Sequence, residues 1–141
     1  MVWKKKVKIS AVPNILPPTL EISAAYKQSL YQAGSVVTRI NQYPKGIPVK
    51  LHQSTLIMLS AYNPGGRLRL LGWNIKMMRK LEQELKQYEY FIGKGSLKEV
   101  SEPLFMVVLS LPKAVVLARK FRQNAIVMIR HQRLSKLIFL A

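Results

Sequence analysis

Four polar side chains stand out as a possible chemical set: Asn63, Asn74, Glu102 and Gln123. Asn63 closes the apolar run of residues 55–62 and precedes Pro64, Gly65, Gly66 and Arg67. Around the end of that run, Asn63 and Asn74 would fix an anion or an amide, Glu102 would act as acid or base, and Gln123 would orient a substrate. The glycine pair also frees successive backbone N–H groups to converge on an anion beside Arg67, near a helix start. The same residues would equally serve only to turn the chain from strand to helix.

Other chemistry is thinly equipped. The chain has no Cys and no Asp, and its six acidic residues are Glu21, Glu82, Glu84, Glu89, Glu99 and Glu102. Disulfides, zinc–thiolate sites and cysteine nucleophiles are therefore excluded. A Ser-His-Asp triad lacks its Asp, although Glu can substitute. His52 and His131 both fall in predicted loops, without a recognisable catalytic context. Carboxylate metal sites need clusters, and Glu82 and Glu84 point apart on a helix. Phosphate-cradling glycine signatures are missing. No catalytic residue, metal or cofactor is assigned, and a non-enzyme is expected.

Charge is the strongest compositional feature. Lys and Arg total 23 against six acids, a net charge of +17. Such a chain attracts nucleic acid, anionic lipid or acidic protein. A nucleic-acid surface would draw on Arg67, Arg69, Lys76, Arg79, Lys80, Arg119 and Arg122, with the N-terminal lysines. Phosphate contacts would dominate such binding, making it steeply salt-dependent and weakly sequence-selective. Against it, aromatic interleaving is poor: Phe121 alone lies in the C-terminal basic stretch and fits a core face. The leading expectation is a non-catalytic polyanion-binding module, nucleic acid first. The alternatives are a small-ligand or catalytic pocket, and a protein-interaction domain offering an open sheet edge.

These residues need elements to place them. Residues 1–18 are basic and then proline-punctuated, and read as a flexible arm, with a short strand over Val7, Ile9 and Ala11 as the other choice. Residues 19–141 read as one α+β domain, long enough to bury a core. A first helix opens at Thr19, with Ile22, Tyr26 and Leu30 on one face, and Gly34 stops or bends it. Residues 35–40 are β-branched and predict a strand. Residues 41–53 read as a loop with one helical turn. Residues 55–62 are apolar on both faces and predict a central, doubly covered strand.

The clearest helix spans residues 73–87, with Ile75, Met78, Leu81, Leu85 and Tyr88 as its apolar stripe. A strand at 88–94 is broken by Gly93 and Gly95, and another covers 104–109. Ser110 and Pro112 open a short helix that buries Ala114, Leu117, Ala118 and Phe121. Residues 124–130 predict a second central strand, 130–133 a turn, and 134–140 a closing strand. From residue 55 the order is strand, helix, strand, strand, helix, strand. That predicts a mostly antiparallel sheet with a ferredoxin-like core, an extra N-terminal helix and strand, and a C-terminal strand. Helices would pack mostly on one face of the sheet.

No stretch reads as a membrane span: residues 103–118 are interrupted by Pro112 and Lys113. The lysines near the N-terminus are not followed by an apolar segment, so a secretory signal is not expected.

Four stretches together resemble a bacterial domain-of-unknown-function family of short proteins. They are residues 25–31 with 36–40; Leu59-Ser60-Ala61-Tyr62-Asn63-Pro64; Trp73-Asn74 leading into the basic helix; and residues 118–125, with Phe121, Gln123 and Ala125. The segment GWNIKMMRKL resembles versions from acetic-acid bacteria. The likeness spans about residues 20–140. It departs at the last hairpin turn, where Arg130-His131-Gln132-Arg133 replaces an acidic residue with Asp-Gly. Ser60 likewise stands for a usual threonine. The resemblance implies a compact cytoplasmic protein and no particular reaction.

Overall fold

The computed structural model describes residues 20–63 and 68–140. The N-terminal arm, Thr19 as a helix cap, and the Pro64–Arg67 turn with its anion nest lie outside the described residues. Among those described, the chain forms three α-helices and seven strands. In order they are α1 (Leu20–Gln28), β1 (Leu30–Ala33), β2 (Val36–Thr38), β3 (Leu56–Leu59), α2 (Leu71–Leu85), β4 (Tyr90–Leu97), β5 (Val100–Val108), α3 (Leu111–Lys120), β6 (Ala125–Ile129) and β7 (Lys136–Phe139). A 3₁₀ turn at Val49–Leu51 interrupts the loop after β2.

All seven strands join one sheet in the order β2-β1-β4-β5-β3-β6-β7, every neighbouring pair antiparallel. The α+β, mostly antiparallel expectation is therefore met. The predicted central strand is β3, whose four residues are all buried. It lies between β5 and β6, and its side chains alternate into two separate cores. Leu56 and Met58 join a core with Leu104, Met106, Val127 and Ile129. Ile57 and Leu59 join the opposite core with Leu81, Leu85, Phe105, Ala114 and Ala118.

The second core is covered by α2 and α3. The first is closed by Tyr26 of α1, Ile40 and Leu51. Two of the three α-helices thus share one face, in keeping with the expectation, and α1 lies on the other. Tyr26 also meets Phe139 of β7 edge-on, with ring centroids 5.9 Å apart. His52 and His131, both in loops as expected, stack with centroids 3.5 Å apart and ties the 3₁₀ turn to the β6–β7 connection.

Two local expectations need correction. The predicted first helix ran to Gly34 and carried Leu30 on its apolar face. Instead α1 stops at Gln28, and residues 30–33 form β1. The helical spacing of Ile22, Tyr26 and Leu30 conceals the change to period two, in which Tyr31 and Ala33 are the buried residues. Gly34 sits at φ 56° in the β1–β2 turn, the left-handed conformation a tight hairpin demands.

The glycines read as breaking the fourth strand lie inside β4 and permit its pairing with β1. A Cβ on Gly93 would fall 2.1 Å from the Gln32 carbonyl oxygen and 2.6 Å from the Ala33 Cβ. A Cβ on Gly95 would meet the Tyr31 ring at 3.3 Å and Leu104 Cδ2 at 3.7 Å. Gly93→Ala is therefore expected to cost about 3 kcal/mol in urea unfolding, the upper range for overpacking, and Gly95→Ala clearly less. Equal costs would show that close backbone approach is not what Gly93 provides.

Candidate functional site

The end of β3 organises the polar side chains. Helix α2 presents Asn74, Met78, Leu81 and Leu85 inward at spacings of four, three and four. Ile75, expected on that stripe, is 41% exposed, and Asn74 takes the buried place. A polar residue wins there because hydrogen bonds satisfy its amide completely. Asn63 donates its backbone N–H to Asn74 Oδ1 at 2.9 Å, and Asn74 Nδ2 returns a bond to Asn63 Oδ1 at 2.8 Å. The Arg69 N–H donates to the same Asn63 oxygen at 3.0 Å. Asn63 holds φ 46°, a left-handed conformation that asparagine tolerates better than most residues.

The remaining Asn63 amide nitrogen donates to Glu102 Oε2 at 3.0 Å. Glu102 lies on β5, two and four residues before Leu104 and Met106, and so shares their side of the sheet. The chain of bonds therefore passes around the sheet end, from α2 on one face to Glu102 on the other. Burial pushes the Glu102 carboxyl above its usual range, and the Asn63 bond opposes that rise.

Glu102 lines a small cleft of about 50 Å³. Its walls include Tyr26, Tyr31, Met58, Leu104, Gln123 and Val127. Tyr31 donates its hydroxyl to the Tyr26 carbonyl at 2.9 Å, and burial raises the pKa of both phenols. Gln123 reaches the cleft through the end of α3. The Gln123 N–H bonds to the Ala118 carbonyl and the Arg122 N–H to that of Arg119. This is a Schellman ending, with Arg122 at φ 58° where glycine is usual. The Gln123 side-chain amide bonds the Phe121 carbonyl at 3.3 Å.

The four predicted pocket residues thus come together, in unequal roles. Glu102 and Gln123 line the cleft. Asn63 and Asn74 hydrogen-bond to one another, to the Arg69 backbone and to Glu102. Sequence reasoning missed Tyr26 and Tyr31 as cleft residues. The signal that could have found them was the period-two burial of Tyr31, masked by the helical reading.

The predicted nucleic-acid residues Arg69, Lys76, Arg79, Lys80, Arg119 and Arg122 are all exposed, whereas Arg67 lies outside the described residues. Lys80 and Lys120 flank a groove between α2 and α3, where Lys120 pairs with Glu84. Lysines and arginines also occupy the other parts of the molecule: Lys27 on α1, Arg39, Lys45 and Lys50 before β3, Lys94 and Lys98 on the β4–β5 hairpin, and Arg130, Arg133 and Lys136 near β7. Positive charge is therefore distributed around the body. No group of three or more potential metal ligands occurs among the described residues, and none of their helices is long and apolar enough to cross a membrane.

Fold and site together define an α+β protein with one antiparallel sheet and a carboxylate-bearing cleft at its end. Residues 59–126 match the model of a family described as "Protein of unknown function (DUF3293)", so this part of the chain is similar to that domain-of-unknown-function family. The matched span runs from the last residue of β3 into β6 and holds Asn63, Asn74, Glu102 and Gln123. No curated protein and no solved structure matches the chain.

Two measurements check this geometry. The raised Glu102 carboxyl means that the fold favours its protonated form. Its contribution is fully present below the unfolded pKa and is lost as pH rises through the folded pKa. Glu102→Gln keeps an acceptor for Asn63 without that loss. Its melting temperature is expected to gain on the parent as pH rises above the ordinary glutamate range, and a constant difference would contradict the assignment. Arg122→Gly is expected to stabilise by about 1 kcal/mol in urea unfolding, because glycine adopts the left-handed C′ position without strain; a loss of stability would refute the Schellman ending.

Proposed function

We propose that the protein is a small-ligand-binding module whose site is the Glu102 cleft. The observation that carries this reading is the convergence of Glu102 and Gln123 on one cleft, with Glu102 held in place by the Asn63–Asn74 pair. Binding sites tend to combine apolar walls with a few fixed polar groups, and this cleft has that composition. Met58, Leu104 and Val127 would receive a small apolar group, while Glu102 would accept hydrogen bonds from an amine or amide N–H and Gln123 would read its neighbour. A proton-transfer role for Glu102 would be a refinement of the same site, supported by its raised pKa.

The polyanion reading stays a proposal of different weight. Exposed arginines and lysines on α2 and α3 favour it. The equally basic surroundings of α1, the β4–β5 hairpin and β7 give it no single docking face among the described residues, and this is why the cleft is preferred. The central order β6-β3-β5-β4, with α2 and α3 as the two crossovers, supports a ferredoxin-like reading of the core.

The test uses methylammonium and acetamide as probes, followed by amide chemical shifts in the full chain. Both are expected to shift Gly95, Glu102, Gln123 and Ala125. Glu102→Gln should weaken methylammonium by about tenfold, the usual loss for a charge-assisted bond, and Leu104→Trp should fill the cleft and abolish both responses. If neither probe moves these amides, the cleft reading fails.

A further inference from the structure

The strongest feature outside the cleft is the entry to α2. Leu68 is 59% exposed, Leu70 84%, Leu71 63%, Trp73 45% and Ile75 41%. Five large apolar side chains therefore face outward within eight consecutive residues. Scattered exposed apolar residues are ordinary, but a contiguous group marks an interaction surface.

Their exposure is imposed by the backbone. The Arg69 N–H is held by Asn63 Oδ1, the Asn74 N–H donates to the Leu70 carbonyl at 3.1 Å, and Asn74 fills the inward position of the first turn. With Asn74 turned in, Leu71 and Ile75 share an outer flank one turn apart, and Trp73 lies on the opposite flank. A Cβ added to Gly72 between them would meet nothing within 4 Å.

The charges within this stretch of chain all have one sign. Arg69, Lys76, Arg79 and Lys80 are exposed, and no acidic residue occurs from Leu68 to Leu81. Exposed leucine and tryptophan at the helix entry, followed along the chain by lysine and arginine, match the chemistry of a bilayer interface. Apolar side chains enter the acyl boundary, tryptophan sits at headgroup level, and cations meet anionic headgroups. Nucleic acid would leave four aliphatic side chains without a role, because phosphate contacts are polar and bases stack on rings. A second copy would bring like charges together, on a chain whose net charge is already +17.

We infer that the segment Leu68–Ile75 and the cations of the following turn form a docking surface for anionic lipid bilayers. This inference does not depend on the cleft. The test is sedimentation of the full chain with vesicles of phosphatidylcholine alone, or with about one part in three phosphatidylglycerol. Trp73 fluorescence is followed in a Trp3→Phe background. Binding is expected only to the phosphatidylglycerol vesicles, with a blue shift of Trp73.

The double variant Leu70→Ser/Leu71→Ser should lower partitioning by about tenfold or more. Its side chains are exposed, so its melting curve should match the parent. Lys76→Gln/Arg79→Gln/Lys80→Gln should weaken binding more than Lys94→Gln/Lys98→Gln/Lys136→Gln, which removes equal charge elsewhere. Several results would overturn the inference: undiminished binding by the leucine variant, equal losses from the two charge variants, or no binding to either vesicle. So would a dimer that the leucine variant dissociates, seen by light scattering without vesicle binding, or nucleic-acid binding that requires the same leucines.

Discussion

The reciprocal amide bonds between Asn63 and Asn74 are the constraint on which this molecule turns. They join the residue that ends the environment of β3 to the first turn of α2, across a connection of eleven positions. A buried amide left unpaired costs more than a paired one contributes, so the two side chains are effectively obliged to meet. That obligation sets where α2 begins, which of its residues face the core, and how Glu102 is held. The same bonds link the two ends of the sheet's polar seam to the outward display of Leu70, Leu71 and Ile75.

Around this staple the sheet separates two cores, and each side solves a different packing problem. The α2–α3 side is filled by large aliphatic residues against small ones, with Ala114 and Ala118 letting α3 lie close to the strands. The α1 side is bounded by tyrosines and closes less completely, leaving the cleft beside Glu102. Gly93 contributes from the far side of β4, where the chain of β1 approaches too closely for any side chain. The cleft thus exists because the sheet continues through β1 and carries Tyr31 to its wall.

Charge and apolar exposure are organised differently. Positive charge surrounds the molecule, so its sign alone selects a class of partner without selecting a face. Exposed apolar surface is concentrated where α2 begins. A partner that needs both must approach there, whereas the Glu102 cleft lies on the other side of the sheet.

Much of the architecture was legible from local pattern. The uninterrupted apolar run ending at Asn63 announced a strand covered on both faces, and the three-and-four spacing from Met78 to Leu85 announced α2. The turn chemistry at Ser110 and Pro112 placed α3, and the four pocket candidates were visible as isolated polar residues beside apolar elements. These signals are local, because strand and helix periods are written in neighbouring residues. What only the tertiary structure decided were choices between equally good local patterns. Residues 30–33 could continue a helix until pairing with β4 made them a strand, and Ile75 could be buried until Asn63 claimed that position for Asn74. The division of roles between Glu102 in the cleft and the asparagines behind it depends on contacts 11 and 39 residues apart in the chain. Separations of that length leave no periodic trace, so composition and spacing named the participants while packing assigned their tasks.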